Sequence, residues 1–226
     1  MTRNLLLSFL VLAFVLGAAL SVANPAVAGC SFRPVPVNVR QTELPLRLDR
    51  SLSSRTLTAT SSTPVSAGNI VLGHGGGGMQ ISGNFEFTVS GNAEDGYCPK
   101  ISKVNIELQV APSIKMANTL RQGTCEYNAV YQHEMFHVGV LQRTAQSAAQ
   151  QIPSIVNTRL QSAISRLRVS GTDKNVIHNQ LQAEFSRILA SVNDQMGAFM
   201  NNEQSKIDNP AEYARVQNSC AFNRRY

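Results

Sequence analysis

Two histidines four residues apart, with a glutamate directly after the first, form the stretch of this sequence best suited to chemistry. Residues 131–141 read YQHEMFHVGVL, which places the motif at His133, Glu134 and His137. If the four histidines and nine glutamates of the chain were distributed at random, His-Glu-x-x-His would be expected about 0.002 times. Chance is therefore a poor explanation for the motif.

A helix would turn this motif into a pair of metal ligands. Side chains four positions apart differ by about 40° and about 6 Å along an α-helix, so His133 and His137 project from one face. Neutral imidazoles are common zinc ligands, and a catalytic zinc site keeps one position for water, whose pKa falls to about 7. Glu134 is then the expected general base for attack on a peptide carbonyl. In the alternative interpretation, both histidines are half-buried helix residues without a metal.

A third ligand must come from another part of the chain, because no H-x-x-G-x-x-H extension follows His137. If the chain folds back at Gly171, residues near position 205 come level with His137. The carboxylates near this level are Glu203, Asp208 and Glu212. Glu203 is the first choice because it follows Phe199 by four residues and so continues an inward stripe. Asp208 is the alternative third ligand, and Glu212 is a more distant candidate.

The N-terminal half carries short segments with the alternation of strands. Apolar and polar residues alternate most clearly in residues 85–89 and 104–110. The segments are VPVNV, LPLRL, RTLTAT, NIVLG, MQISG, NFEFTVS and KVNIELQV. Between them lies GHGGGGM, residues 73–79, which lacks the Lys-Ser/Thr of a phosphate loop. A mobile hairpin loop with an exposed His74 is expected there.

Helical spacing replaces this alternation from about residue 124, where glycine and proline become rare. Pro153 is expected to kink or interrupt the first helix. After a turn around Gly171, Thr172 or Asp173 can cap a second helix. The apolar stripe of that helix comprises Ile177, Leu181, Phe185, Ile188, Val192, Met196 and Phe199. The two helices are expected to form a long hairpin that carries the HExxH motif.

These patterns predict an α+β fold with a single domain at residues 29–226, in which 29–123 are mainly β and 124–226 mainly α. About 198 residues are enough to bury a substantial core. The net charge is +6, but the basic residues are scattered rather than gathered in long runs with interleaved aromatic residues. This distribution argues against nucleic acid as a partner.

The first 28 residues have the pattern of a secretion signal. Arg3 precedes a long apolar run, and Ala26-Val27-Ala28 offers a cleavage site before Gly29. The run Val27-Ala28-Gly29-Cys30 also resembles a bacterial lipoprotein box, and an uncleaved anchor is a third option. We therefore expect an exported protein, periplasmic or secreted. Membrane attachment is expected only if Cys30 is lipidated or the signal remains uncleaved.

Four cysteines remain after the signal, and export favours disulfides among them. They can pair in three ways, and no C-x-x-C motif indicates a metal or redox site. The expected bridges are a local one between Cys98 and Cys125 and a second one, Cys30 to Cys220, that joins the ends. Lipidation of Cys30 would instead leave an odd thiol.

The motif and its setting resemble a known class of enzymes. HEMFH on a helix after a strand-rich half, with NEQSKID about 66 residues further on, resembles the zincin metallopeptidases, and in particular their Glu-ligand branch, the gluzincins. It is also similar to a bacterial family of exported proteins described as secreted zinc-dependent proteases. The specific match covers residues 133–137, and a wider likeness in the order of elements covers about 100–213. The resemblance implies that His133 and His137 bind Zn²⁺ and that Glu134 is the general base.

The resemblance departs from the gluzincin pattern at the third ligand. That pattern is N-E-x-x-x-D, whereas Asn202-Glu203 is followed by aspartate one residue late, at Asp208. Zincins align their substrate as an extra strand on a sheet edge, and KVNIELQV, residues 103–110, is the candidate edge, with an interior strand as the alternative. Tyr213 could donate to an oxyanion, or simply pack with its hydroxyl at the surface.

The sequence thus leads to two hypotheses from different classes. The first is an exported zinc metallopeptidase that hydrolyses protein or peptide substrates. The second is a noncatalytic envelope protein or lipoprotein in which zinc is structural or no metal is bound.

Overall fold

The computed structural model describes residues 30–61, 70–92, 96–167 and 173–220. In chain order the elements are β1 (Val37–Glu43), β2 (Arg47–Asp49), α1 (Ser54–Thr60), β3 (Gly73–Asn92), β4 (Gly96–Met116), α2 (Cys125–Arg166), α3 (Lys174–Ile207) and α4 (Pro210–Ser219). The expected α+β fold, a strand-rich half followed by long helices, is confirmed. The secretion signal at residues 1–28 and the turn at Gly171 lie outside the described residues.

The strand β4 is the interior strand of the sheet. β1 and β2 pair in parallel with successive parts of β4, and β3 pairs antiparallel with it along its length. The expectation that KVNIELQV forms the sheet edge is therefore wrong. Its alternation correctly indicates the face that is buried, where Val104, Ile106, Leu108 and Val110 pack under the helices. Alternation does not reveal how many neighbouring strands a strand has.

Two segments of the N-terminal half differ from the sequence prediction. RTLTAT lies in α1 rather than in a strand. Ser53 caps this helix by accepting a hydrogen bond from the Thr56 N–H, and Leu57 is the helix residue that is buried. The glycine-rich stretch 73–79 is the first part of β3, paired with residues 110–116 of β4. The expected hairpin loop is thus a regular strand, and two of its glycines lie against Glu134 of α2.

The helix α2 runs without a break through Pro153, so the expected interruption is absent. Proline removes one N–H donor from a helix of 42 residues. The buried face of α2 packs on the sheet and on α3, and this packing stabilises the helix on both sides of the proline. Thr124 caps α2 by accepting from the Tyr127 N–H, and Asp173 caps α3 by accepting from the Asn175 N–H.

All four cysteines form disulfides, but the expected pairing is wrong. The bridges are Cys30–Cys98 and Cys125–Cys220. Between Cys98 and Cys125 the chain is extended as far as Met116, which at about 3.3 Å per residue carries the two cysteines to opposite ends of the sheet. Cys98 instead meets Cys30, which lies seven residues before β1, the strand that pairs in parallel with β4. The returning α3 and α4 bring Cys220 back to the start of α2.

The disulfides also bear on the compartment of the protein. Two bridges indicate folding in an oxidising environment, as expected for an exported protein. The sulfur of Cys30 is bonded to Cys98, so in this state it is not free to carry a lipid. Within the described ranges, no helix has the length and apolar character needed to cross a membrane.

Candidate metal centre

The structure brings three potential ligands together at the third and fourth turns of α2. His133, His137 and Asp208 each offer one ligand atom, and these atoms lie within 4.8 Å of one another. The two Nε2 atoms are 3.3 Å apart, and Asp208 Oδ1 lies 3.1 Å from that of His137 and 3.5 Å from that of His133. Both histidines are only 5% exposed. Two imidazoles and a carboxylate are a donor set that can hold a metal ion.

The first choice for the third ligand, Glu203, lies outside this group. Its carboxylate pairs with Lys206 one turn further along α3 and is partly exposed. The alternative, Asp208, is the residue that meets His133 and His137. The group therefore contains an aspartate in place of the glutamate that the gluzincin pattern requires.

The direction of the inward stripe explains this difference. Phe199, the last member of the predicted stripe, is 50% exposed, whereas Met196 is buried and Met200 packs against the core. The inward face therefore continues at intervals of four from Met196 through Met200 to Gln204 and Asp208. The predicted stripe is correct as far as Met196. It then continues to Phe199, whereas the buried face continues to Met200.

The position along α3 that contacts the motif agrees with the expectation that residues near 205 lie level with His137. Gln204 lies one residue from the expected position 205 and contacts His137 twice: its Oε1 is bonded to His137 Nδ1, and its Nε2 donates to the His137 carbonyl oxygen at 3.1 Å. Sequence reasoning missed Gln204 because an amide is a poor metal ligand. Residues 204, 208 and 212 are spaced by four, as on one face of a helix, and this spacing is the sequence signal that could have identified Gln204.

Glu212, the distant candidate, contacts His133 on the side away from the ligand group. Its Oε1 is 3.3 Å from His133 Nδ1, and both carboxylate oxygens accept hydrogen bonds from Arg215 at 2.7 and 2.6 Å. The hydrogen bonds from Arg215 hold the pKa of Glu212 at about 2. Glu212 is thus an ionised partner of His133 rather than a member of the metal-binding group.

Asp208 and the two histidines stabilise one another's charged forms. Burial acts to lower the pKa of His133 and His137, but hydrogen bonds to Asp208 outweigh it and raise both. Burial acts to raise the pKa of Asp208, but its hydrogen bonds with the two histidines hold it well below its usual range. A positive charge among these three residues is therefore favoured, and either protons or a metal cation can supply it.

Glu134 is buried beside this group, against the glycines of β3. Its side chain is 4% exposed, and burial raises its pKa to about 7, although both histidines and the Gly75 N–H act in the opposite direction. A Cβ at Gly73 would lie 2.3 Å from Glu134 Oε1, and one at Gly75 would lie 2.4 Å from the Glu134 carbonyl oxygen. The glycines are needed because the strand passes directly over the glutamate.

Tyr213, the candidate oxyanion donor, also lies near the centre. The Tyr213 hydroxyl donates a hydrogen bond to Asp208 Oδ1 at 3.0 Å, and its ring centroid is 5.8 Å from that of His133. His74 is exposed on β3, between the two glycines that contact Glu134. The first two turns of α4 carry Glu212 and Tyr213, and the disulfide Cys125–Cys220 fastens the far end of this helix to the start of α2.

No family model, curated protein or solved structure matches this chain. The zincin resemblance remains a prediction from the motif at residues 133–137.

The raised pKa of Glu134 leads to a prediction about stability without metal. Below its ordinary value of 4.5 the glutamate is protonated in both the folded and the unfolded chain; above it, only the unfolded chain ionises until pH about 7. Ionisation therefore favours unfolding over this window, by a total of about 3 kcal/mol. Glu134→Gln removes this penalty, so the substitution should become increasingly stabilising between about pH 4.5 and 7 and then level off.

Urea unfolding in the presence of a chelator measures this effect at several pH values. The matched control is Glu107→Gln, which replaces an exposed carboxylate on β4. A stability difference between Glu134→Gln and the parent protein that does not change with pH would contradict the prediction.

Proposed function

We propose that the protein is an exported zinc-dependent metallopeptidase. The observation that carries this proposal is the convergence of ligand atoms from His133, His137 and Asp208, together with the buried carboxylate of Glu134, which interacts electrostatically with all three. In the proposed site these three residues hold Zn²⁺, and Glu134 is the general base. Two disulfides support the exported location.

The residues fit zinc in number and in type. Catalytic zinc sites use three protein ligands, commonly histidine nitrogens with a carboxylate oxygen, and leave a further position for water or substrate. His133 and His137 offer nitrogens from one helix face, and Asp208 offers an oxygen close to both. When bound, zinc supplies a Lewis acid that polarises a carbonyl and lowers the pKa of water.

Glu134 performs the proton transfers of the proposed reaction. Its carboxylate takes a proton from the attacking water, whose oxygen bonds to the carbonyl carbon of the substrate. The C–N bond then breaks, and Glu134 returns the proton to the leaving amine nitrogen. A pKa near the working pH suits a group that must both accept and release a proton, and burial raises that of Glu134 to about 7. The Gly75 N–H, on the strand that lies against Glu134, acts to lower the pKa of the carboxylate.

The neighbouring strand supports a peptide as substrate. Among the described residues β3 pairs only with β4, so its other edge has no strand partner. The part of this strand at Gly73 and Gly75 lies against Glu134. An extended peptide that adds to such an edge forms main-chain hydrogen bonds and brings its own carbonyl groups near the site. This role belongs to β3, not to the interior strand β4.

Metal analysis of the mature protein, combined with peptide hydrolysis, tests the proposal. We expect about one zinc per chain, loss of zinc and of hydrolysis in a chelator, and recovery of both on adding zinc. Substoichiometric metal that added zinc does not restore would overturn the proposal. Full zinc occupancy without cleavage of any member of a mixed peptide library would indicate a structural site instead.

A further inference from the structure

Three residues at intervals of four meet the histidines of the motif from one short segment. Gln204 near the end of α3, Asp208 at its C-cap and Glu212 in the first turn of α4 all contact His133 or His137. Asn209 caps α4 by accepting from the Glu212 N–H at 3.0 Å, and Pro210 begins the helix. This junction aims all three side chains at the motif, although only Asp208 belongs to the ligand group.

The orientation of the Gln204 amide follows from its two hydrogen bonds. Its Nε2 faces the carbonyl oxygen of His137, which can only accept, so the nitrogen must be on that side. The amide oxygen therefore faces His137 Nδ1. Because an amide oxygen only accepts, His137 Nδ1 must carry a proton, and Nε2 is left to face Asp208. Gly76 leaves room for this amide, since a Cβ there would lie 3.3 Å from Gln204 Nε2.

A carboxylate has the same effect on the other histidine. Both carboxylate oxygens of Glu212 accept hydrogen bonds from Arg215, the geometry of an ion pair, and Oε1 also faces His133 Nδ1. An ionised carboxylate has no hydrogen to donate, so His133 Nδ1 is the donor. His133 Nε2 is thereby also turned towards Asp208.

We propose that Gln204 and Glu212 are positioning residues, which hold the Nδ1 protons of His137 and His133 and so present both Nε2 atoms to Asp208. Neither touches the ligand atoms of the group. Their contribution is to fix which nitrogen of each ring is available for a metal, as the partners of metal-binding histidines do in general. The metal-dependent part of this inference rests on the proposed function, whereas the hydrogen bonds themselves do not.

Nuclear magnetic resonance of protein labelled with ¹⁵N-histidine tests the inference without metal. Each Nδ1–H can be observed through the nitrogen that carries it. We expect Nδ1–H signals of His133 and His137 that exchange slowly with water, in contrast to those of the exposed His74 and His178. Rapid exchange at Nδ1 of His133 and His137 in the unaltered protein would overturn the proposal.

Substitutions separate positioning from a general structural role. Gln204→Met keeps the volume but removes the acceptor, so only the His137 signal should lose protection; Glu212→Met should affect only that of His133. Gln204→Glu and Glu212→Gln keep an acceptor and should retain protection. The control is Gln180→Met, at an exposed glutamine of α3. Loss of both signals in either Met variant, or of neither, would contradict the assigned pairs.

Zinc titration supplies the second measurement. Loss of a partner to a metal-binding histidine typically lowers metal affinity about 10–100-fold, which we expect for Gln204→Met and for Glu212→Met but not for Gln180→Met. Affinities unchanged in both Met variants would overturn the positioning role even if the hydrogen bonds exist. Failure of Glu134 as general base would leave all of these results unaffected, so the two proposals can fail separately.

Discussion

Glu134→Gln is expected to lower kcat for peptide hydrolysis by about 10²–10⁴-fold while the protein keeps its fold and its zinc. The amide has nearly the shape of the carboxylate, but it cannot take a proton from water. Glu134 is not a member of the ligand group, so zinc affinity should change little. Steady-state kinetics together with metal analysis of the same sample measure both quantities.

Two comparisons make this result decisive. His133→Ala should lose zinc and hydrolysis together, because it removes a proposed ligand. Glu126→Gln, a substitution in the first turn of the same helix, should retain both. Release of zinc from Glu134→Gln would show that the glutamate supports the metal, and full activity in that variant would disprove the general-base mechanism.

The parts of the fold that the sequence predicts well are those set by local periodicity. The change from period two to helical spacing near residue 124 correctly located the start of α2, and the stripe from Ile177 to Met196 correctly gave the buried face of α3. Symmetry about the turn then gave the level of His137 within one residue, at Gln204. These features depend on neighbours in the chain, so they can be read from it.

The parts that failed depend on partners distant in the chain. The role of residues 73–79 as a strand follows from the close passage of β3 over Glu134, which is 55 or more residues away in sequence. Cys98 pairs with Cys30 because a parallel strand pair brings them together, and no pattern around either cysteine records that pairing. The position of β4 inside the sheet likewise depends on where β1, β2 and β3 dock.

The prediction of Glu203 as the third ligand failed because of a one-residue error in the helical stripe. A shift of one residue along an α-helix rotates the side chain by about 100° around the helix axis. Glu203 is thereby turned towards Lys206, whereas Asp208, at the end of the helix, reaches both histidines. The apolar stripe contains both Phe199 and Met200 as possible continuations, and only packing against the core selects Met200.

Asp208→Ala is therefore expected to weaken zinc binding by more than about 100-fold, the upper range for residues that only support a ligand. Glu203→Ala should leave the affinity nearly unchanged, because its carboxylate pairs with Lys206 at the surface. The sequence-based preference for Glu203 predicts the opposite order, so zinc titration of the two variants distinguishes the interpretations directly.

Asp208→Asn is the matched variant for charge, because it keeps the side-chain shape and an oxygen that can accept from Tyr213. Its affinity should fall between those of the parent protein and Asp208→Ala, since a neutral amide oxygen is a weaker zinc ligand than a carboxylate. Circular dichroism must show intact helices in all three variants, because Asp208 is also the C-cap of α3. If Asp208→Ala binds zinc as tightly as the parent protein while Glu203→Ala does not, α3 must turn its outer face to the metal, and the ligand group described above would be wrong.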